Sequence, residues 1–199
     1  MLGRIVEVAS GLTFDQFLRQ RIFEPLGMKD TGFFPSPDRT ARVVTLYRRT
    51  PEATLVKEET PSWLATTTFF SGGAGLWSTP EDYTQFAQML VNGGHVNGKR
   101  LLGPRTVAMM AANHVGDLYA ASSANRRGMG FGLTVEVVMD PIATSQRRSA
   151  GSFGWDGVFG THFWVDPKEQ LAGILMIQRS IVTALNRDFE NAVMQAIVE

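Results

Sequence analysis

Between Gly151 and Thr161 the chain reads Gly-Ser-Phe-Gly-Trp-Asp-Gly-Val-Phe-Gly-Thr, which sets four glycines into a segment with the character of a strand. Glycine inside a strand marks a bulge or a close approach of backbone. Strand-forming stretches lie on both sides. From Met129, the residues Phe131, Leu133, Val135 and Val137 alternate with smaller or polar neighbours, which predicts one strand. Thr161 to Val165 and Leu171 to Arg179 are predicted as two strands joined at Asp166-Pro167-Lys168-Glu169, a turn with proline in a favoured place, and so as an antiparallel hairpin. A strand edge stripped of side chains can offer its N–H groups to an acyl oxygen, as an oxyanion hole requires. A plain glycine loop is the alternative, and the residues alone leave it open.

Helical signals fill the rest of the chain. Leu2, Ile5, Val6 and Ala9 stand at helical spacing from the outset with no capping residue before them, so the expectation is a chain cut within a fold. Gly11 stops this helix. Thr13 with Gln16 reads as a capping box, and Phe14, Phe17, Leu18, Ile22 and Phe23 give a second helix to about Glu24, ended by Pro25 and Gly27. Residues 28–70 show little period beyond short strands expected at Val43–Tyr47 and Thr54–Lys57. Thr79-Pro80-Glu81-Asp82 is a helix start with cap, first-turn proline and acids at the positive end of the dipole. Gly93-Gly94 ends that helix, Pro104 opens another, and Leu185 to Glu199 is expected as a last one. Helices, loops, a helix, antiparallel strands and a helix predict an α+β fold, with residues 1–199 as one domain or part of one.

Composition narrows the function. Nineteen Lys and Arg balance nineteen Asp and Glu, so no global field draws the chain to nucleic acid. Leu171–Ile177, the longest apolar run, is too short to span a bilayer. Without cysteine there is no disulfide, thiolate nucleophile or cysteine-bound metal. His95, His114 and His162 lack ligand-pair spacing, and Gly128–Gly132 and Gly73–Gly75 meet neither nucleotide fingerprint, so no metal or cofactor is expected. The acid pairs Glu58-Glu59 and Glu81-Asp82 read as a loop and a helix start. Gly151-Ser152-Phe153-Gly154 falls one residue short of a nucleophile elbow; a hydrolase built on Ser152 with His162 as base would need the two brought together.

Four blocks then carry a resemblance. They are Leu2–Gly11, the Phe23-Glu24-Pro25-Leu26-Gly27-Met28-Lys29-Asp30-Thr31 stretch, Ser71-Gly72-Gly73-Ala74-Gly75 with the helix start through Tyr83, and Gly154–Thr161 with Trp164-Val165-Asp166-Pro167. In this order they resemble the serine β-lactamase and penicillin-binding superfamily, in the branch of class C β-lactamases, D-alanyl-D-alanine carboxypeptidases and β-lactamase-like esterases. The resemblance implies a β-lactamase/transpeptidase-like fold, an antiparallel sheet flanked by helices, here incomplete at the N-terminus. It implies ester or amide hydrolysis through an acyl-serine, with Ser-x-x-Lys and Tyr-x-Asn motifs and a Lys-Thr-Gly or His-Thr-Gly strand. Neither of the first two occurs in this sequence; Tyr47, Tyr83 and Tyr119 all lack the following Asn. The third is matched by Trp155-Asp156-Gly157, with the Val158 N–H as the implied oxyanion donor. A tryptophan there is similar to the esterase branch and removes the cation that would bind a β-lactam carboxylate.

The chain alone is therefore expected to be inactive, since acyl transfer without nucleophile and base has no covalent route. The alternative is a non-catalytic remnant that binds a partner or ligand through the retained wall of the site. An exposed sheet edge and hydrophobic face are expected, with self-association as one consequence.

Overall fold

The computed structural model describes residues 1–35, 37–59, 61, 69–179 and 183–198. It divides into two compact units, Met1–Phe86 and Ala87–Glu199.

The first unit opens with α1 (Leu2–Ser10), which carries no side-chain cap and ends at Gly11 in the left-handed conformation. The next helix is longer than its pattern predicts. It runs as α2 (Phe14–Leu18), a π-helical turn (Arg19–Phe23) and α3 (Glu24–Leu26), so Pro25 lies inside it and only Gly27 ends it. Gly27 closes the end as a Schellman cap: Met28 donates to the Phe23 carbonyl at 2.8 Å and Gly27 to the Glu24 carbonyl at 3.1 Å. Thr13 does not form the expected capping box. Its side chain makes no cap, and Glu7 of α1 accepts the Phe14 N–H at 3.0 Å instead. Short strands β1 (Tyr47–Arg49) and β2 (Leu55–Lys57) pair antiparallel, the first displaced toward the C-terminus from its expected place. Phe33 packs its ring near Phe14 and Phe70 at 6.0 and 5.1 Å.

Helix α4 (Pro80–Val91) starts as its sequence predicts. The Thr79 hydroxyl accepts the Asp82 N–H at 3.2 Å, and Asp82 accepts from the Asp30 N–H and the Thr31 hydroxyl. In the second unit β3 (His95–Val96) pairs with β4 (Lys99–Arg100), followed by α5 (Pro104–Met110) and α6 (Leu118–Ala121). The stretch expected as one strand from Met129 is two, β5 (Met129–Phe131) and β6 (Glu136–Val138), folded back on each other. The reversal lies at 132–135, where Gly132 donates to the Val135 carbonyl and Thr134 has φ +70°.

After α7 (Pro141–Thr144) come β7 (Phe153–Asp156), β8 (His162–Asp166) and β9 (Leu171–Leu175), then α8 (Thr183–Gln195). Glu199, the expected end of α8, lies outside the described residues. Strands β5 to β9 form one antiparallel meander in sequence order. Trp164, fully buried, faces α8 through Phe189 at 5.5 Å between ring centroids. It fits because its neighbour on β9 is Gly173, where a Cβ would sit 2.0 Å from the indole. Helices and an antiparallel sheet are the α+β architecture that the element order predicts.

Candidate functional site

The expected hairpin forms as β8 and β9. The candidate residues lie instead at the turn end of the hairpin before it, β7 and β8. Trp155 and Asp156 are the last residues of β7, paired with Phe163 and His162 of β8. Strand β6 stops earlier, opposite Gly154, so the end of β7 runs on past its other neighbour. Gly157 donates to the Thr161 carbonyl at 2.7 Å, and Gly160 donates to the Gly157 carbonyl at 3.0 Å, which closes a turn over 157–160. A Cβ on Gly157 would lie 2.0 Å from the Thr161 hydroxyl oxygen, so the neck of this turn admits no side chain there. Of the four glycines expected to thin a strand, Gly157 and Gly160 thus belong to the turn. Val158 sits at the tip, 67% exposed, and among the described residues its amide makes no hydrogen bond.

Trp155 is 41% exposed and meets Phe131 edge-on at 5.2 Å, and Phe131 lies 5.0 Å from the Tyr119 ring. An amide without an internal partner at an exposed turn, and a part-exposed aromatic residue close to it in the chain, are groups suited to bind a carbonyl oxygen and an apolar group.

Behind this end lies a buried set of charges that the sequence did not reveal. His162, 5% exposed, places Nδ1 2.5 Å from Asp156 and Nε2 2.8 Å from Glu190 of α8. Asn186, one turn earlier on α8, donates to the same Asp156 oxygen at 3.2 Å. Glu190 also pairs with Arg148 at 3.4 Å, and Arg148, 1% exposed, reaches Glu136 at 3.7 Å. Tyr119 donates to Glu136 at 3.1 Å. Burial by itself disfavours the His162 cation, but its two acids outweigh burial and raise its pKa to about 9. Burial lifts the Glu136 carboxyl above its ordinary range against the pull of Arg148. Burial, with Glu136 beside it, lifts Tyr119 to about 12.

The geometry rules out the pairing of Ser152 with His162. Ser152 precedes Phe153 at one end of the hairpin and His162 stands opposite Asp156 at the other, about 13 Å along the strand. Ser152 is wholly buried, and both ring nitrogens of His162 are occupied by acids.

An antiparallel sheet ending in an open glycine turn, with helices around it, is the fold of the β-lactamase and penicillin-binding group. Simvastatin synthase (LovD) from Aspergillus terreus superposes with a TM-score of 0.84 over 99% of this chain and 54% of its own, at 25% identity. The Beta-lactamase family model matches residues 1–193, and the chain belongs to that family. Among curated relatives, Protein Rv1367c of Mycobacterium tuberculosis is 34% identical over 186 residues, which is 89% of this chain and 46% of that protein. Lovastatin esterase of Penicillium rubens is 29% identical over 195 residues, 88% of this chain and 48% of that one. The chain spans about half the length of the curated relatives it matches.

Proposed function

We propose that residues 1–199 are the C-terminal portion of one β-lactamase-related domain and form a wall of an acyl-transfer site for esters. The observation that carries this reading is Val158 at the exposed tip of the 157–160 turn, its amide without a hydrogen bond among the described residues, close in the chain to Trp155. In it, Trp155-Asp156-Gly157 is the active-site strand and the Val158 N–H meets the oxyanion. Trp155 offers a ring where a cation would hold a carboxylate, which favours an uncharged ester over a β-lactam. The names of two relatives, a lovastatin esterase and a simvastatin synthase, support the ester class.

The chain holds no Ser-x-x-Lys and no Tyr-x-Asn. By itself it forms no acyl-enzyme. Incubation with a fluorophosphonate or a penicillin, followed by intact-mass measurement, is expected to show unmodified chain; stoichiometric labelling would overturn the reading. Fusion to the N-terminal half of lovastatin esterase is expected to restore labelling and turnover of a p-nitrophenyl ester.

The same reading includes self-association. Leu2, Ile5 and Val8 of α1 are exposed, and β9 is the last strand of its sheet with Ile174 and Leu175 only part-buried. Sedimentation is expected to show the chain associating at micromolar concentration. No helix among the described residues is long and apolar enough to cross a membrane.

A further inference from the structure

His162 is placed where only one of its forms satisfies its surroundings. A neutral imidazole has one N–H and one lone pair. Here both ring nitrogens face carboxylate oxygens, at 2.5 Å on Asp156 and 2.8 Å on Glu190. Nδ1 is hydrogen-bonded to Asp156, while Nε2 lies close to Glu190 without the alignment of a hydrogen bond. A lone pair held that near a carboxylate would be repulsive, so the arrangement favours the imidazolium, hydrogen-bonded to Asp156 and ion-paired with Glu190. The ring is closed in by Asp156 of β7, Asn186 and Glu190 of α8, and Trp164 of β8, stacked at 5.5 Å. Beyond Glu190 stand Arg148, then Glu136 and Tyr119.

The position of this ring in the chain matters as much as its charge. Asp156 and His162 are cross-strand partners, and the turn that carries Val158 lies between them. Inside that pair stand the Gly157–Thr161 and Gly160–Gly157 hydrogen bonds, and Arg179 donates to the Phe159 carbonyl at 2.8 Å. We propose that His162 is a positioning residue: its imidazolium ties Asp156 to helix α8, closes the neck of the 157–160 turn, and so fixes the direction of the Val158 amide. This rests on the reading of Val158 as the oxyanion donor. The hold of the two acids on the proton up to about pH 9 agrees with the geometry.

The test needs no catalysis. In a 13C,15N-labelled chain, the His162 ring Cε1, the Gly157 carbonyl carbon and the Val158 methyls are followed by NMR from pH 5 to 11. These carbon-bound signals survive the rapid amide exchange of high pH. The expected result is that all three move with one midpoint above pH 8. Glu190→Gln is expected to lower that midpoint by at least one pH unit for all three together. His162→Gln is expected to abolish the Gly157 and Val158 titration. A His162 ring that is neutral at pH 7, or a Val158 that stays still while the ring titrates, would overturn the proposal. The wild-type titration decides the matter even if a variant does not fold. Fluorophosphonate labelling reads the acyl-site proposal separately: labelled chain with a coupled titration leaves the clamp standing, and unlabelled chain with an uncoupled one leaves the acyl reading standing.

Discussion

The β7–β8 hairpin carries an aspartate at each end, and the two are held in opposite ways. Asp166, wholly buried, accepts backbone N–H groups from Ser149 at 2.8 Å, Lys168 at 3.1 Å and Glu169 at 3.2 Å. Among the described residues, Asp156, whose side chain is 56% exposed, is held by the side chains of His162 and Asn186. Backbone donors do not titrate and do not move without the chain. A histidine does titrate, and it can be replaced without touching the turn. One end of the hairpin is a fixed corner; the other is an end whose geometry depends on a proton.

Breaking the fixed corner should have the largest effect. Asp166→Ala strips three part-buried N–H groups of their acceptor and empties a buried site, so a loss of about 3 kcal/mol is expected, read as a fall in the urea midpoint at constant slope. Because Asp166 lies at the far end of the hairpin, Trp155 fluorescence in the folded variant is expected to match the wild type.

The adjustable end should show itself through pH. The folded pKa of His162, about 9, lies above its ordinary 6.5, so the native state holds the proton more tightly than the unfolded chain. The stabilisation is therefore complete below about pH 6.5, fades as pH rises to 9, and is gone above it. The tighter hold on the proton is worth about 3 kcal/mol. Glu136 is also raised, so stability begins to fall with pH already from the carboxylate range. Melting curves across pH 5–10 should resolve both declines, and His162→Gln should remove only the upper one. A wild-type melting temperature that is flat from pH 6.5 to 9.5 would erase the contrast between the two ends.

The same contrast explains what the sequence could tell. The corner at Asp166 is local chemistry: an aspartate, a proline and two polar residues in a row predict a turn, and the side chain bonds N–H groups two and three residues on. The start of α4 is legible for the same reason. Three things were not. The Thr13 side chain makes no cap, and a residue of another helix, Glu7, accepts the Phe14 N–H at this helix start. The fold at 132–135 places Thr134 at φ +70°, where turn signals lead one to expect glycine or asparagine. The His162 clamp depends on Glu190 and Asn186, ordinary residues of an amphipathic helix until the sheet brings His162 beneath them. Family resemblance pointed to Trp155–Val158, but only the fold shows what stands behind them.

Smaller effects sharpen the comparison. Asp156→Asn keeps the shape and removes one of the two acids on His162. Since the Asp156 side chain is more than half exposed, water screens much of the interaction, and a loss of about 1 kcal/mol is expected. The upper pH decline should shift to lower pH, while Asp166→Ala should leave its midpoint in place. A midpoint unchanged in Asp156→Asn would assign the charge on His162 to Glu190 alone.

The smallest stability change is expected at the residue with the largest proposed role. Val158 is the second residue of the turn closed by the Gly160–Gly157 hydrogen bond, a position that favours proline. Its amide bonds nothing among the described residues, and its side chain is largely exposed. Val158→Pro should therefore change stability by about 0.5 kcal/mol or less, since the turn is kept and only the N–H is lost. In the fusion that restores ester turnover, the same substitution removes the oxyanion donor and should lower kcat about 100-fold or more. Val158→Ala, which keeps the N–H, should keep the rate. If proline and alanine behave alike in turnover, the donor lies elsewhere, and the open end of the hairpin is only a surface turn.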